Sequence, residues 1–197
     1  MIFIDMNLPI YKLILKNDGD GVEYVALVDD PAIERNFVAF GKEKQCFQIK
    51  DEDRRIVMGA LMVADMPIYR KDEKRGEYYV MFDKETIEQV VMRFFKTKST
   101  GNVNLMHDRT QIAAGVFLFE SMLIDEKRGV TVPYGFERLP DGSWFGSFKV
   151  ENDNVWADVK SGKYLGFSVE GMFVVEENDD NDLIDNILKV LKEIGEN

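Results

Sequence analysis

Alternation of apolar and polar positions predicts that strands make up most of this chain. Residues 10–16 place a tyrosine and two leucines on one face and both lysines on the other. Residues 18–21, Asp-Gly-Asp-Gly, form a strong turn pattern, so residues 22–28 are expected to pair with the first strand as a hairpin. Further strands are predicted over residues 55–64, 78–82, 102–107, 115–124, 143–150 and 167–175.

Helical periodicity occurs in two shorter segments of the same region. Asp83 can cap a helix over residues 84–97, and a second helix is predicted near residues 153–160, where Gly162 stops it. The first helix has an apolar face made of Ile87, Val90, Val91, Phe94 and Phe95. The sequence therefore predicts two helices set among many short strands.

The order of these elements predicts an α+β fold dominated by an antiparallel β-barrel flanked by helices. Residues 1–175 would form this one domain, and the acidic residues 176–182 would form a linker. Residues 183–197 carry aliphatic side chains at helical spacing and predict a C-terminal amphipathic helix.

Composition restricts the classes of partner. The chain has 197 residues, 45% of them hydrophobic and 31% charged, which is typical of a soluble globular protein. Its formal net charge of −11 argues against binding to nucleic acid or to anionic membranes, so proteins are the expected partners. The N-terminus lacks a basic region and carries Asp5, so no signal peptide is expected, and no apolar run is long enough to span a bilayer.

Candidate chemistry begins with His107, which is the single histidine of the chain. Histidine is the natural general base near neutral pH, so any Ser-His or Cys-His mechanism must use this residue. The pattern of residues 102–108 places it at the exit of a strand. A half-buried histidine bonded to a neighbour is the structural alternative.

Two more residues complete a candidate set. Glu120 lies in a strand that is apolar on both faces, so it is expected to be buried, either paired with a cation or holding the His107 imidazole in place. Ser168 lies on a strand between Gly166 and Gly171, and glycines there would allow close approach of another backbone or of a substrate. A purely structural serine is the alternative.

These segments together resemble XkdF-type phage serine proteases. The resemblance rests on a series of motifs that occur in the family's order over about residues 22–175. They are Ala26–Glu34, Asn36–Phe40, His107-Asp108, Glu120-Ser121, Gly142–Trp144, Val155–Gly162 and Gly166–Gly171. The family is similar to the prohead proteases and, more distantly, to the herpesvirus assemblins.

The resemblance implies that Ser168 is the nucleophile and His107 its base. Glu120 is the expected third member and Asp108 the reserve, since the second histidine of the herpesvirus enzymes has no counterpart here. The chain also has no arginine after Arg138, so backbone N–H groups or a lysine such as Lys163 would have to stabilise the oxyanion. No cofactor is implied, and one histidine with one cysteine makes a poor zinc site.

The resemblance further implies an endopeptidase of capsid maturation. Its substrates would be the scaffold protein, the major capsid protein or both. It would act as a homodimer or higher oligomer inside the assembling procapsid in the host cytoplasm.

Three other functions compete with this one, and one of them is an acidic binding domain without catalysis. A head-assembly protein could keep the fold without activity, and a cysteine peptidase could pair Cys46 with His107. Cys46 lies in a charged stretch with no pattern that indicates reactivity.

Overall fold

A computed structural model describes residues 8–31, 47–136 and 139–176 of the chain. Cys46 and the predicted C-terminal helix over residues 183–197 lie outside the described residues, as does almost all of the predicted linker. The described part contains twelve strands and two α-helices. No helix within these ranges is both long and apolar enough to cross a membrane.

The strands follow the sequence pattern closely. In chain order they are β1 Ile10–Ile14, β2 Gly21–Val28, β3 Phe47–Asp51, β4 Ile56–Met62, β5 Ile68–Asp72, β6 Gly76–Met81, β7 Val103–Leu105, β8 Asp108–Ile112, β9 Val116–Leu123, β10 Trp144–Val150, β11 Gly166–Met172 and β12 Val174–Glu176. Each predicted strand coincides with observed strand structure, and the prediction missed β3, β5 and β8.

The twelve strands form three separate four-stranded sheets, so the predicted antiparallel barrel is wrong. The first sheet has the order β12-β1-β6-β5, the second β3-β4-β10-β9 and the third β11-β2-β7-β8. No sheet closes on itself among the described strands. The pairings β1·β6 and β2·β7 are parallel, so the first and third sheets are mixed, whereas every pairing in the second sheet is antiparallel. The sequence pattern indicates which residues are extended, but it does not indicate which strands pair.

The predicted hairpin of the first two strands is also absent from the described pairings. The Asp20 carboxylate accepts hydrogen bonds from the backbone N–H groups of Lys16 and Asn17, at 2.8 and 2.7 Å. Arg93 in turn donates to the carbonyl oxygens of Asn17 and Asp20. The residues between the two strands therefore form a loop that is hydrogen-bonded to Arg93 of a helix, and β1 and β2 lie in different sheets.

Two helices flank the sheets at the predicted positions. Helix α1, Lys84–Lys96, starts at Asp83, whose carboxylate accepts from the Thr86 N–H at 2.8 Å. Four of the five predicted face residues of α1 are buried, while Phe95 is 43% exposed. Helix α2, Asp153–Lys160, is capped by Asn152 in the same way.

Aromatic side chains join the three sheets and α1 in one main core. Phe148 of the second sheet contacts Phe167 of the third, with ring centroids 4.4 Å apart. Phe94 of α1 packs edge-on against Trp144 at 5.1 Å. Phe173 joins β11 to β12 and so links the third sheet to the first. This core fixes the position of β11, the strand that carries Ser168.

Candidate active site

Ser168 lies in the middle of β11, where it is partly buried. Its backbone neighbour on β2 is Ala26, which is fully buried and pairs in turn with Asn104 of β7. Residues that pair directly across strands point to the same face of a sheet. Ser168, Ala26 and Asn104 therefore lie in one row across the third sheet, on the side away from the main core.

Gly171 serves the packing of β11 rather than access for a substrate. A Cβ atom at this position would overlap the carbonyl oxygen of Gly21 on β2. The pairing of the two strands shifts between Glu170 and Gly171, which is a β-bulge. The glycine therefore allows close approach of the protein's own backbone.

His107 occupies the tight turn between β7 and β8 and not the strand exit that the sequence predicted. Met106 and His107 both have left-handed backbone angles, φ 54° and 62°. Leu105, just before them, pairs with Asp108, just after them. Met106 and His107 are therefore the two central residues of a type I′ hairpin turn. The turn leaves the His107 side chain 45% exposed.

The carboxylate beside His107 is that of Glu170. Oε1 of Glu170 lies 3.3 Å from Nδ1 of the imidazole and accepts a hydrogen bond from the Asn104 side chain at 2.5 Å. Glu170 follows Ser168 by two positions on β11, so both side chains point to the same face. The Glu170 side chain is 15% exposed.

The structure thus brings Ser168 and His107 to one face of one sheet without a hydrogen bond between them. Ser168 and Asn104 are two strand spacings apart, about 10 Å between Cα atoms, with the Ala26 methyl between them. Because Asn104 and His107 contact the same Glu170 oxygen, the imidazole lies near this row. Nδ1 faces Glu170, which leaves Nε2 as the ring nitrogen free to approach a serine.

Glu120 is placed elsewhere, and the prediction that it is buried on a central strand is wrong. It is exposed on β9, which ends the second sheet within the described residues. Leu118 pairs with Phe148 but Glu120 pairs with Ser147, so Phe119 is an extra residue in the strand. This bulge reverses the side-chain alternation and turns Glu120 outward. No described hydrogen bond or ion pair joins Glu120 to His107.

Asp108, the reserve third member, and Lys163, the possible oxyanion donor, both make other contacts. Asp108 accepts hydrogen bonds from the Thr110 hydroxyl at 2.6 Å and the Gln111 amide at 2.7 Å, and these bonds hold the pKa of its carboxyl below the usual value. Lys163 forms an ion pair with Asp158 at 2.6 Å. Backbone N–H groups therefore remain the expected oxyanion donors.

The described residues contain no group of potential metal ligands. Within residues 8–31, 47–136 and 139–176, no three histidine, cysteine or acidic side chains are grouped as metal ligands would be. The described arrangement combines a hydroxyl, an imidazole and a carboxylate on one sheet face. These are the groups of nucleophilic acyl transfer.

Comparisons with known proteins agree with the sequence motifs. The family model described as "Putative phage serine protease XkdF" matches residues 44–177, more than half of the chain. Ser168, His107, Glu120 and Glu170 all lie inside this stretch, whereas the motif at Ala26–Glu34 precedes it. Neither the comparison with curated proteins nor that with solved structures returns a match. The chain belongs to the family described as "Putative phage serine protease XkdF".

Proposed function

We propose that the protein is the prohead endopeptidase of a phage, which cleaves scaffold protein, major capsid protein or both during head assembly. Ser168 is the nucleophile of this proposal and His107 the general base. The observation that carries it is the placement of both residues on one face of the third sheet, inside the stretch that matches the protease family.

The proposed reaction follows the acyl-enzyme mechanism of serine proteases. Ser168 Oγ bonds to the scissile carbonyl carbon while its proton passes to Nε2 of His107. The carbon–nitrogen bond then breaks, and the proton on Nε2 leaves with the amine, so an acyl-enzyme remains. Water repeats the sequence, with His107 again as base, and the acid product departs from Ser168.

Closure of the Ser168–His107 pair is a required step of this mechanism. The two side chains are not hydrogen-bonded in the structure, and catalytic hydrogen bonds often tighten when substrate binds. The imidazole is exposed on a hairpin turn, and the mechanism requires that Nε2 reach the hydroxyl while Nδ1 stays against Glu170. Binding of substrate or of a second protomer would favour the closed arrangement, which suits a homodimeric or higher oligomeric protease that acts inside the procapsid in the host cytoplasm.

The missing hydrogen bond also favours a second candidate function. A head-assembly protein could retain the three sheets and the family motifs while Ser168 and His107 never meet. Such a protein would bind scaffold or capsid protein without cutting it. The two functions differ in one measurable outcome, which is the appearance of shortened partner chains.

Substitution of Ser168 by alanine tests the proposal directly. The protein would be co-expressed with the scaffold and capsid proteins of its own phage, and their masses followed by mass spectrometry. Wild type is expected to yield shortened chains, and Ser168→Ala none, because the nucleophilic oxygen is gone. Folding should be preserved, since the change deletes one partly buried atom.

Ser147→Ala is the matched control for this experiment. Ser147 is a fully buried strand serine of the second sheet, and its hydroxyl has no hydrogen-bond partner among the described residues. Its removal should leave cleavage unchanged. Uncut partners with wild type, or equal cleavage with Ser168→Ala, would reject the protease function and favour the binding protein.

A further inference from the structure

Glu170 is held in a fixed position by contacts to both of its carboxylate oxygens. Oε1 accepts from the Asn104 amide at 2.5 Å, and Oε2 lies 3.5 Å from Nε of Arg109. Asn104 is fully buried, and Glu170 retains 15% exposure. A carboxylate anchored in this way cannot swing freely to solvent.

Arg109 is itself fixed by neighbours on the third sheet. Its guanidinium pairs with Glu23 at 3.0 Å and stacks over the Tyr24 ring, 4.9 Å from the centroid. Tyr24 pairs with Glu170 across β2 and β11, so it lies on the same face as the cluster. The arginine therefore closes one side of the Glu170 carboxylate and leaves the other side to the imidazole.

The Asn104 amide is oriented with its NH₂ group toward Glu170. Its NH₂ group donates to Glu170, and its Oδ1 is buried without a hydrogen-bond partner among the described residues. The reverse orientation would place an amide oxygen against a carboxylate oxygen, which is repulsive.

Other acidic groups do not take this place beside the imidazole. Glu120 is exposed on the second sheet, and the carboxylate of Asp108 is bonded to Thr110 and Gln111. Glu23 contacts Arg109 instead of His107. Glu170 is thus the described carboxylate that contacts His107.

We propose that Glu170 is the positioning residue of the catalytic pair, and that Asn104 and Arg109 hold its carboxylate against Nδ1 of His107. This inference rests on the proposed protease function. The Glu170 carboxylate accepts a hydrogen bond from the Nδ1–H group and so keeps the lone pair on Nε2, the nitrogen that has to reach the nucleophile. When Nε2 gains the Ser168 proton, Glu170 stabilises the imidazolium and stays ionised.

Replacement of Glu170 by glutamine tests this role in the full-length protein. A fluorophosphonate probe measures nucleophile reactivity without knowledge of the cleavage sequence, because it labels an activated serine. Labelling of Ser168 is expected to slow by up to roughly 10⁴-fold in Glu170→Gln, the loss that replacing the orienting carboxylate by its amide produces in serine proteases. Glu170→Asp keeps the charge and should recover part of the rate. In peptide cleavage the loss should fall on kcat and not on KM.

Two matched variants separate this role from general effects of charge. Glu23→Gln removes the other acidic partner of Arg109 and should slow labelling much less than Glu170→Gln, because Glu23 contacts Arg109 and not His107. Glu120→Gln should do the same. Loss of labelling in Glu120→Gln with a normal rate in Glu170→Gln would overturn the inference in favour of Glu120.

The single histidine allows a second readout that does not depend on activity. In protein labelled with ¹⁵N-histidine, the ring nitrogens give one pair of resonances. We expect the neutral ring of wild type to carry its proton on Nδ1, and Glu170→Gln to shift the population toward the Nε2–H tautomer. If Glu170 only stabilises the hairpin, Glu170→Gln will leave the tautomer and the labelling rate unchanged.

The outcomes distinguish failure of the inference from failure of the proposed function. Labelling of wild type at Ser168 with an unchanged rate and tautomer in Glu170→Gln rejects the role of Glu170 and leaves the protease intact. An unlabelled wild type whose tautomer still depends on Glu170 rejects the protease and supports the positioning contact. An unlabelled wild type with an unchanged tautomer rejects both.

Discussion

Backbone conformation at the His107 turn links local strain to the site. Met106 and His107 both adopt left-handed angles, which asparagine and glycine tolerate better than other residues. A left-handed residue with a side chain costs roughly 1–2 kcal/mol. Such outliers are retained where the surrounding structure requires them, often at functional sites. Here the turn aims the imidazole at the carboxylate of Glu170.

Met106→Asn is expected to stabilise the protein. Asparagine favours the left-handed region, and Met106 is 44% exposed, so little packing is lost. The free energy of unfolding should rise by about 0.5–1 kcal/mol, which chemical denaturation can measure. Met172→Asn is the control, since Met172 is 57% exposed on a strand with ordinary backbone angles and should show no gain. A gain in the control alone would refute the strain argument.

Single residues also mark the limits of prediction from the sequence. Glu120 was placed by alternation from Val116 and Leu118, and one bulged residue reversed the result. Glu170 was visible in the same motif as Ser168, two positions away and hence on the same face. The sequence contained this cue, but it contained no cue that β2 and β7 would bring His107 to that face.

At the scale of elements, β11 depends on its close contact with β2. The strand carries Ser168 and Glu170, and its pairing with β2 shifts between Glu170 and Gly171, where Glu23 is an extra residue on β2. Gly171 lies directly against the backbone of Gly21, with no room for a side chain. A shift of this part of the strand would move both site residues, because they precede the bulge by only a few positions.

Gly171→Ala is therefore expected to destabilise the protein by about 3 kcal/mol, since the added methyl overlaps backbone that cannot rotate away. Denaturant unfolding gives the measurement. Gly101→Ala is the matched control, because a Cβ there meets no atom within 4 Å. Similar stability of Gly171→Ala and Gly101→Ala would show that β11 and β2 can separate without cost.

Helices and strands were predicted better than their arrangement. Asp83 supplies the side-chain oxygen of a helix cap, a local interaction that the sequence predicts. The pairing of β1 with β6 and β12 joins residues far apart in the chain. Three open sheets and one closed barrel share the same alternation of side chains, so the pattern could not distinguish them.

At the scale of the whole molecule, a partly buried carboxyl group lies where the second sheet meets α1. Asp65 follows β4 with a left-handed backbone and donates its N–H to the carbonyl oxygen of Phe82 at 2.8 Å. Burial and the nearby carboxylates of Asp83 and Glu85 raise the pKa of Asp65 from 3.8 to about 6. The protein thus holds a proton in the folded state that the unfolded chain releases at lower pH.

The direction of the resulting pH dependence is determined by that shift. Between about pH 4 and pH 6 the folded state binds more protons at Asp65 than the unfolded state, so the contribution of Asp65 to stability falls as pH rises. Below pH 4 both states are protonated, and the penalty disappears. Above pH 7 both states are ionised, and the full penalty applies.

Asp65→Asn removes this ionisation while keeping a residue that tolerates the left-handed backbone. We expect the variant to match wild type at pH 4 and to exceed it by about 1–2 kcal/mol at pH 8, after a discount for the partial exposure of Asp65. Denaturant unfolding at several pH values gives the comparison.

Asp72→Asn is expected to change stability in the opposite direction, because hydrogen bonds from Tyr78 and Arg75 lower the pKa of Asp72. That variant should be less stable than wild type at neutral pH, with a gap that closes below pH 4. A gap for Asp65→Asn that stays constant from pH 4 to pH 8 would mean that Asp65 ionises alike in the folded and unfolded chain.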